Sequence, residues 1–210
     1  LSGIPGLVGA TPIQNVGAYG QEVAGTITDV QTWDREQRRF VDLPASACSF
    51  AYRDSGFKRA PARIVVTRVR FRLAGDGVAR PMRYAELARA LAAGPDDRPP
   101  LRDVRSAVLA LRRAKGMVLD PDDPETVSAG SFFTNPIVDA ATRAGFESRI
   151  DHGRYPSWPA GDGLTKLAAG WLIERAGFSK GYTRGRVGIS HKHALALVNR
   201  GGGTATELLA

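Results

Sequence analysis

The chain contains 210 residues, of which 43% are hydrophobic and 24% are charged. This length suits one or two globular domains with a buried core, and the composition argues against a disordered tail. Because no stretch approaches the roughly 18 consecutive apolar residues of a membrane helix, we expect a soluble protein without membrane insertion. The single cysteine, Cys48, excludes an internal disulfide and a cysteine-rich zinc site, and it suits a reducing compartment.

Basic residues outnumber acidic residues by 29 to 21, which gives a formal net charge of +8. Such an excess suggests an anionic partner, namely a nucleic acid, a phosphorylated substrate, an anionic lipid or a nucleotide cofactor. An arginine-rich composition with abundant alanine and glycine is also typical of a compositionally biased coding sequence. The charge therefore leaves both interpretations open.

The two ends of the chain predict a fragment of a longer protein. The first residue is Leu1, with no initiator methionine and no signal-peptide pattern after it. Residues 204–210 begin like a capped helix and stop after one or two turns. We therefore expect that both ends are truncated.

Two segments in the first part of the chain have the pattern of β-strands. Residues 22–33 are rich in β-branched side chains and partly alternate, and residues 63–73 alternate clearly. The alternation places Arg68, Arg70 and Arg72 on one face of the second strand. We expect a polar connection between the two strands.

Apolar residues recur at helical spacing through most of the remaining chain. Gly94, Gly116 and Gly201 follow three of these segments and are typical of helix ends. Residues 131–135 predict a short strand or a turn. Because strands come first and helices dominate later, the pattern favours the α+β class. The predicted helices cover residues 84–93, 103–113, 136–145, 165–176 and 190–199, the last with Ser190 as its N-cap.

The glycine-rich residues 1–20 are the first candidate binding segment. Glycine lets backbone N–H groups approach pyrophosphate oxygens without a Cβ in the way, so the segment could cradle a flavin or a phosphate. The glycine spacing matches neither the Walker nor the Rossmann pattern, and a packed turn is the alternative interpretation.

Two further candidates lie in predicted turns. The loop at residues 50–57 contains Tyr52, Arg53 and Asp54, where a guanidinium could bind a carboxylate and Asp54 could orient it. Ser131 lies between a glycine and two phenylalanines, where a hydroxyl could donate a proton in a dry pocket. The alternatives are a structural Arg–Asp pair and a serine that caps a turn.

A hydrolase and a metal site have weaker support. Ser131 could act with His152, His191 or His193, but no GxSxG motif surrounds the serine. His191 and His193 would face opposite sides of the predicted helix, which does not suit a shared metal ion. We therefore predict no metal site.

Six blocks of sequence carry a stronger signal together than any one carries alone. They read LSGIPGLVGATPIQNVGAYGQEV, FAYRDSGFK, RRAKG, SAGSFFTNP, WPAGDGLTKLAAGWLIERAG and KGYTRGRVGISHKHALALVN. In this order they resemble the UDP-N-acetylmuramate dehydrogenases, also called UDP-N-acetylenolpyruvoylglucosamine reductases. The resemblance implies a cytoplasmic, FAD-dependent enzyme of peptidoglycan precursor synthesis. Its members use NADPH to reduce UDP-N-acetylglucosamine enolpyruvate to UDP-N-acetylmuramate.

The resemblance also implies a division of the chain. Residues 1–105 would form the second lobe of a two-part FAD-binding domain, and residues 106–210 would form a UDP-sugar substrate-binding domain that is incomplete at its C-terminus. Members of the family carry an N-terminal segment with a flavin pyrophosphate loop and a C-terminal segment with a catalytic glutamate. Neither segment occurs in these 210 residues, and Glu207 is not a candidate for that glutamate.

By position, the resemblance assigns Arg53 to the enolpyruvyl carboxylate and to the enolate that forms when hydride arrives at C3. It assigns Ser131 to the protonation of C2. The positions that resemble the flavin-contacting stretch are Ile4, Pro5, Gly6, Gly9, Ala10, Thr11, Gln14, Asn15, Gly17, Ala18 and Tyr19. The positions that resemble residues near the UDP-sugar are Tyr52, Tyr84, Lys115, Asn135, Trp158, Lys166 and His193.

Other functions stay open at this stage. A catalytically incomplete fragment of such an enzyme is one, and a related FAD-linked oxidoreductase is another, which would not need Ser131, Lys115 and Asn135 together. A basic nucleic-acid-binding module is a third, suggested by the net charge and the arginine face at residues 68–72, and it predicts salt-dependent binding. The resemblance itself implies no nucleic acid partner.

Overall fold

A computed structural model of the chain describes residues 1–82, 84–150 and 154–210. The chain divides into two compact units, Leu1–Leu111 and Arg112–Ala210. The division lies in the same helix as the boundary after residue 105 that the sequence suggests. Each unit is described by itself.

The first unit begins with turns and a short ribbon. A 3-10 turn at Val8–Ala10 precedes two antiparallel strands, β1 (Gly17–Ala18) and β2 (Gln21–Glu22). A second 3-10 turn follows at Val23–Gly25. The strand predicted at residues 22–33 therefore begins later than expected.

A three-stranded antiparallel sheet follows the ribbon. Its strands are β3 (Ile27–Asp34), β4 (Arg39–Pro44) and β5 (Ile64–Phe71), with β3 between the other two. Val30 and Thr32 of β3 are completely buried, because alternate side chains of a strand point to the same face. The core around Val30 comprises Val23, Ile27, Val30, Cys48 and Phe57.

Strand β4 corrects the prediction of a polar connection between two strands. It returns along β3 as a hairpin after a turn in which the Asp34 carboxylate accepts the backbone N–H groups of Glu36 and Gln37, both at 2.9 Å. A side chain that satisfies turn amides in this way stabilises a tight reversal. The apolar residues Phe40, Val41 and Leu43 were the available signal for this strand.

Strand β5 confirms the strand predicted at residues 63–73. Its pairing with β3 shifts between Val66 and Arg68, so Thr67 forms a bulge that interrupts the alternation. Arg68 and Arg70, which the alternation places on one face, are exposed. Arg70 forms an ion pair with Asp29 at 2.7 Å, so one charge of the arginine face is balanced within the sheet.

The described residues of the first unit also form the helices α1 (Gly56–Arg59) and α2 (Ala85–Ala90) and most of α3 (Leu101–Ala114). Helix α2 is shorter than the helix predicted at residues 84–93, and Ala92 has a positive φ of 49° soon after it ends. Helix α3 confirms the helix predicted at residues 103–113. Val108 of α3 is buried in a second cluster with Ala79, Met82 and Leu87.

In its described residues, 112–150 and 154–210, the second unit contains the end of α3, two small antiparallel sheets and three further helices. One sheet has the strand order β10-β11-β12-β6 and the other has the order β7-β9-β8. The strands are β6 (Ser128–Ser131), β7 (Ile137–Val138), β8 (Ser157–Pro159), β9 (Thr165–Leu167), β10 (Thr183–Arg184), β11 (Val187–Ile189) and β12 (Ala196–Asn199). The helices are α4 (Ala140–Glu147), α5 (Ala169–Arg175) and α6 (Ala205–Leu209).

The helix predicted at residues 136–145 is wrong at both ends. The two residues after Pro136 form β7, and helix α4 begins only after Asp139, whose carboxylate accepts the Thr142 N–H at 2.7 Å. An aspartate N-cap of this kind sets the start of a helix. Gly145, the predicted end, lies inside α4.

The structure also corrects two other predicted helices. Residues 165–167 of the helix predicted at 165–176 form β9, and α5 begins at Ala169. The helix predicted at residues 190–199 is wrong, because residues 196–199 form β12 between β11 and β6. Short apolar runs suit a buried strand as well as a helix, and the pairing partners decided the outcome.

The combination of separate helices and antiparallel sheets confirms the predicted α+β class. The capped turn predicted at residue 204 is also confirmed, because Thr204 and Glu207 form a capping box at the start of α6. Within the described ranges, no helix is long and apolar enough to cross a membrane, and α3 has 14 residues.

Candidate functional site

In the first unit, the buried residue Asn15 organises the glycine-rich segment. Its Nδ2 donates to Glu22 Oε2 and to the Ala51 carbonyl oxygen, both at 2.9 Å, and its Oδ1 accepts the Ala24 N–H at 3.1 Å. Asn15 has a φ of 43°, a left-handed conformation that asparagine tolerates better than most residues. Its side chain thus joins the segment to the loop that carries Arg53, and its predicted flavin contact stays a prediction.

Arg53 lies in a left-handed turn with its guanidinium held against the ribbon β1–β2. Its φ is 54°, and Nη2 donates to the Gly17 carbonyl oxygen at 2.6 Å. Nη1 lies 3.5 Å from Glu22 Oε1, and the guanidinium carbon lies 5.1 Å from the centre of the Tyr52 ring. A cation above an aromatic face is attracted by the ring quadrupole. The guanidinium of Arg53 therefore lies over the ring of Tyr52.

Asp54 does not orient Arg53, contrary to expectation. It forms an ion pair with Arg59, and Glu22 is the carboxylate beside Arg53. The sequence analysis missed Glu22 because its partner lies 31 residues further along the chain. It also missed Ser55, which is fully buried, donates to the Ile13 carbonyl oxygen at 2.6 Å and caps α1.

Tyr19 and Tyr84 form an aromatic pair in the first unit. Their ring centres are 5.2 Å apart in an edge-to-face arrangement. Tyr84 is 39% exposed and immediately precedes α2. The structure thus brings together one residue predicted to contact flavin and one predicted to lie near the UDP-sugar.

The segment that resembles the flavin-contacting stretch has an exposed apolar surface. Leu7 is 81% exposed, Val8 is 63% exposed, and Ile4, Pro5 and Ala10 are also exposed. A Cβ added at Gly6 or Gly9 would meet no atom within 4 Å, so the space beside both residues is open, although the φ of 112° at Gly6 itself favours glycine. Open backbone and apolar side chains fit a largely apolar planar ligand such as a flavin ring.

Other members of this stretch have local roles. The Thr11 hydroxyl donates to the Val8 carbonyl oxygen at 2.8 Å, Gln14 is exposed, and Ala18 is half-buried in β1. Gly17 requires glycine for space, because an added Cβ would lie 2.6 Å from the Gln21 carbonyl oxygen.

In the second unit, Ser131 ends strand β6 opposite Ala196 of β12. It is exposed, and the rings of Phe132 and Phe133 beside it pack edge to face with centres 5.1 Å apart. The position presents the hydroxyl at a strand end. The dry pocket that the sequence suggests around the serine stays a prediction.

Trp158 and Lys166 are cross-strand neighbours on β8 and β9, and Ile137 of β7 pairs with Lys166 from the other side. Directly opposite residues share one face of a sheet, so these three side chains lie on the same surface. Trp158 is 46% exposed and borders a cleft of about 450 Å³ together with Arg143 and the turn at residues 161–164.

Asn135 caps helix α5. Its Oδ1 accepts the Ala169 N–H at 3.0 Å, which satisfies one of the free donors at the helix start. This contact gives Asn135 a structural role, and its predicted contact with the UDP-sugar stays a prediction. Lys115 follows the end of α3, where Gly116 has a φ of 65°.

His193 lies in the turn between β11 and β12, where its Nδ1 accepts the Leu195 N–H at 3.0 Å. A neutral ring with this contact carries its proton on Nε2. The His191 Nδ1 atom is 3.1 Å from Glu125. These contacts engage one ring nitrogen of each histidine with a group other than Ser131, and His152 lies outside the described residues.

A buried carboxylate that the sequence analysis missed fixes this turn. Glu125 accepts the His191 backbone N–H at 2.7 Å, and Arg200 Nε lies 3.3 Å from its Oε1. Burial raises the pKa of Glu125, but hydrogen bonds from Ser190 and His191 and the charge of Arg200 outweigh it and lower the pKa to about 2. The Lys192 ammonium pairs with Asp123 beside it.

The groups that commonly bind metals do not cluster here: within residues 1–82, 84–150 and 154–210, the His, Cys, Asp and Glu side chains form no set of three that could hold a metal ion.

Comparison with known proteins decides the family. Residues 122–210 match the family described as UDP-N-acetylenolpyruvoylglucosamine reductase, C-terminal domain. Over its whole length the chain is 55% identical to the UDP-N-acetylenolpyruvoylglucosamine reductase of Streptomyces avermitilis and 57% identical to that of Thermobifida fusca. The chain belongs to the UDP-N-acetylenolpyruvoylglucosamine reductase family. It spans 59% and 60% of the lengths of these two relatives.

A solved structure supports the fold. The crystal structure of UDP-N-acetylenolpyruvylglucosamine reductase from Thermus caldophilus superposes with a TM-score of 0.58 and 24% identity. The superposition covers 99% of this chain and 55% of that chain. The reductase fold therefore extends over both units of the chain.

Proposed function

We propose that this chain forms part of a reductase that converts UDP-N-acetylglucosamine enolpyruvate to UDP-N-acetylmuramate with FAD and NADPH. In this proposal the reaction belongs to peptidoglycan precursor synthesis in the cytoplasm. The similarity of the whole chain to reductases of this name supports it. The observation that carries it is the guanidinium of Arg53, held by the Gly17 carbonyl oxygen and Glu22 over the Tyr52 ring.

Arg53 suits the recognition of the enolpyruvyl carboxylate. A guanidinium has five N–H donors in a planar fork that matches the two oxygens of a carboxylate. When hydride adds to C3 of the enolpyruvyl group, negative charge spreads from C2 into this carboxylate. A cation that is already in place stabilises that charge more than it stabilises the ground state, which accelerates the reaction.

The glycine-rich segment is proposed to contact the flavin. The exposed side chains of Ile4, Leu7 and Val8 and the open backbone at Gly6 and Gly9 suit this role. When bound, FAD reduced by NADPH would supply the hydride for C3. The residues of the segment would bind the ring system and exclude water from it.

Ser131 is proposed to donate the proton to C2. An alcohol is a weak acid, so this transfer is efficient only toward a strongly basic carbanion in a site from which water is excluded. Since Ser131 is exposed at the end of β6, the bound substrate has to contribute to that exclusion. The products of the two steps, hydride at C3 and a proton at C2, turn the enolpyruvyl ether into a lactyl ether.

The sheet β7-β9-β8 is proposed to bind part of the UDP-sugar. Lys166 supplies an ammonium suited to diphosphate oxygens, and its neighbour Trp158 offers an exposed ring for stacking. Lys115, Tyr84, Asn135 and His193 are proposed as further contacts.

Absorption spectra of the purified chain and of the complete protein that contains it, recorded from roughly 300 to 550 nm to cover the flavin bands, test the proposal. Spectra are taken with and without FAD, and again after addition of the enolpyruvyl UDP-sugar. We expect a protein-bound flavin band that shifts when the substrate is added. If flavin is bound but its spectrum does not change when the substrate is added, a related oxidoreductase is indicated. If the complete protein binds neither molecule, the proposal is refuted.

A further inference from the structure

The carboxylate of Glu22 connects Arg53 to the buried part of its own unit. Its Oε1 lies 3.5 Å from Arg53 Nη1, and its Oε2 accepts the Asn15 Nδ2–H at 2.9 Å. Asn15 is 1% exposed and is tied to two backbone groups as well. We propose that Glu22 is a positioning residue that orients Arg53 toward the enolpyruvyl carboxylate, an inference that rests on the proposed function.

The role requires a carboxylate rather than an amide. Both neighbours of Glu22 are donors, the Asn15 amide and the Arg53 guanidinium, and each faces a different oxygen of the carboxylate. An ionised carboxylate accepts at both oxygens, whereas an amide accepts at only one. A glutamine at this position would turn its NH₂ group toward one of the two donors and break one of the contacts.

The contacts act on the orientation of the guanidinium. An unrestrained arginine side chain samples many rotamers, and a restrained one loses less freedom when it binds an anion. Gly17 and Glu22 engage Nη2 and Nη1, so among the described residues they hold two of the five N–H groups and leave the others for a ligand. The ring of Tyr52 limits the tilt of the plane.

The shape of the ribbon supports this assignment independently. A Cβ added at Gly17 would lie 2.7 Å from Glu22 Cγ and 2.9 Å from Arg53 Nη1. The absence of a side chain at Gly17 is therefore what allows Glu22 and Arg53 to approach each other. The nearest carboxylate in sequence, Asp54, cannot replace Glu22 because Arg59 engages it.

Steady-state kinetics of the complete FAD-loaded protein test the proposal with three variants. Glu22→Gln removes one acceptor, and Glu22→Asp keeps both acceptors on a shorter side chain. Glu36→Gln is the matched control, because Glu36 also faces an arginine, Arg63, at 3.3 Å and is 68% exposed at its side chain. Flavin content and melting temperature are measured for each variant.

We expect Glu22→Gln to raise the KM for the enolpyruvyl UDP-sugar about tenfold and to lower kcat, as misplacement of a substrate-binding group does. The rate of flavin reduction by NADPH without substrate should stay within about twofold of the wild type, since that step does not use Arg53. Glu22→Asp should give an intermediate KM, and Glu36→Gln should match the wild type.

A double-mutant cycle with Arg53→Lys separates positioning from a general effect. If Glu22 acts through Arg53, adding Glu22→Gln to Arg53→Lys should change KM by less than about twofold, whereas independent effects would multiply. An active wild type with an unchanged KM in Glu22→Gln would overturn the inference and leave the proposed function standing. If Glu22→Gln does not fold, a wild-type KM in Glu22→Asp would overturn it. An inactive wild type would refute the proposed function itself.

Discussion

Glu125 and His191 meet twice: the carboxylate accepts the His191 backbone N–H at 2.7 Å and faces the His191 Nδ1 at 3.1 Å. The two residues are 66 positions apart in sequence and fix the turn between β11 and β12 to the 3-10 turn at Pro124–Thr126. The turn also carries His193, a candidate substrate contact. The stability of this corner of the second unit therefore depends on one ionised carboxylate.

Lowering the pH should remove the stabilisation that the Glu125 carboxylate provides. The pKa of Glu125 is about 2 in the folded chain against 4.5 for a free side chain, so its stabilisation is complete above about pH 4.5 and is lost as pH falls toward 2. At roughly 1.4 kcal/mol per pKa unit, the shift corresponds to about 3 kcal/mol. Glu125→Gln should lower the free energy of unfolding by about that amount at pH 7 and flatten its acid dependence.

Denaturant unfolding from about pH 7 down to about pH 2 measures both effects, because the stability is lost between the free pKa of 4.5 and the folded pKa of about 2. Glu174→Gln, an exposed position on α5, serves as the control and should retain the wild-type profile. Equal acid dependence in Glu125→Gln and the wild type would contradict the assignment.

Asn135 should contribute to stability through its cap on α5. Asn135→Ala removes the acceptor of the Ala169 N–H and should lower the free energy of unfolding by about 1 kcal/mol. Asn135→Asp keeps an oxygen at the same place and adds a charge that favours a helix N-terminus, so it should retain the stability of the wild type. A stable Asn135→Ala variant would show that water replaces the cap at no cost.

Replacement by alanine should lower stability at Gly17 and FAD affinity at Gly9. Gly17→Ala places a Cβ 2.6 Å from the Gln21 carbonyl oxygen and should destabilise the chain by about 1–3 kcal/mol. Gly9→Ala meets no atom within 4 Å, so its melting temperature should match the wild type while its affinity for FAD falls. Thermal unfolding and FAD titration distinguish the two, and unchanged FAD affinity in Gly9→Ala would remove Gly9 from the flavin contacts.

Ser131 should matter only to the step that consumes substrate. Ser131→Ala in the complete protein should slow substrate-dependent reoxidation of the flavin by orders of magnitude, roughly the 10²–10⁴-fold range of a general acid, and spare reduction by NADPH. Stopped-flow absorbance resolves the two half-reactions. Normal reoxidation in this variant would instead favour the related oxidoreductase with another substrate.

Local patterns determined several elements of this protein from the sequence alone. The alternation at residues 63–73 predicted β5, the spacing at residues 103–113 predicted α3, and the Thr204 cap predicted the start of α6. These features depend on neighbours within a few positions, where side-chain period and capping act directly. The turn that carries Arg53 was also visible as a loop.

Tertiary structure decided the features whose partners are distant in sequence. Residues 196–199 became a strand because β11 and β6 supply hydrogen bonds on both sides, although their apolar run also suited a helix. Glu22 contacts Arg53, which is 31 positions away in sequence, and Glu125 contacts Arg200, which is 75 positions away. A charged residue in a sequence does not indicate which of many opposite charges it will face, because burial and chain closure select the partner.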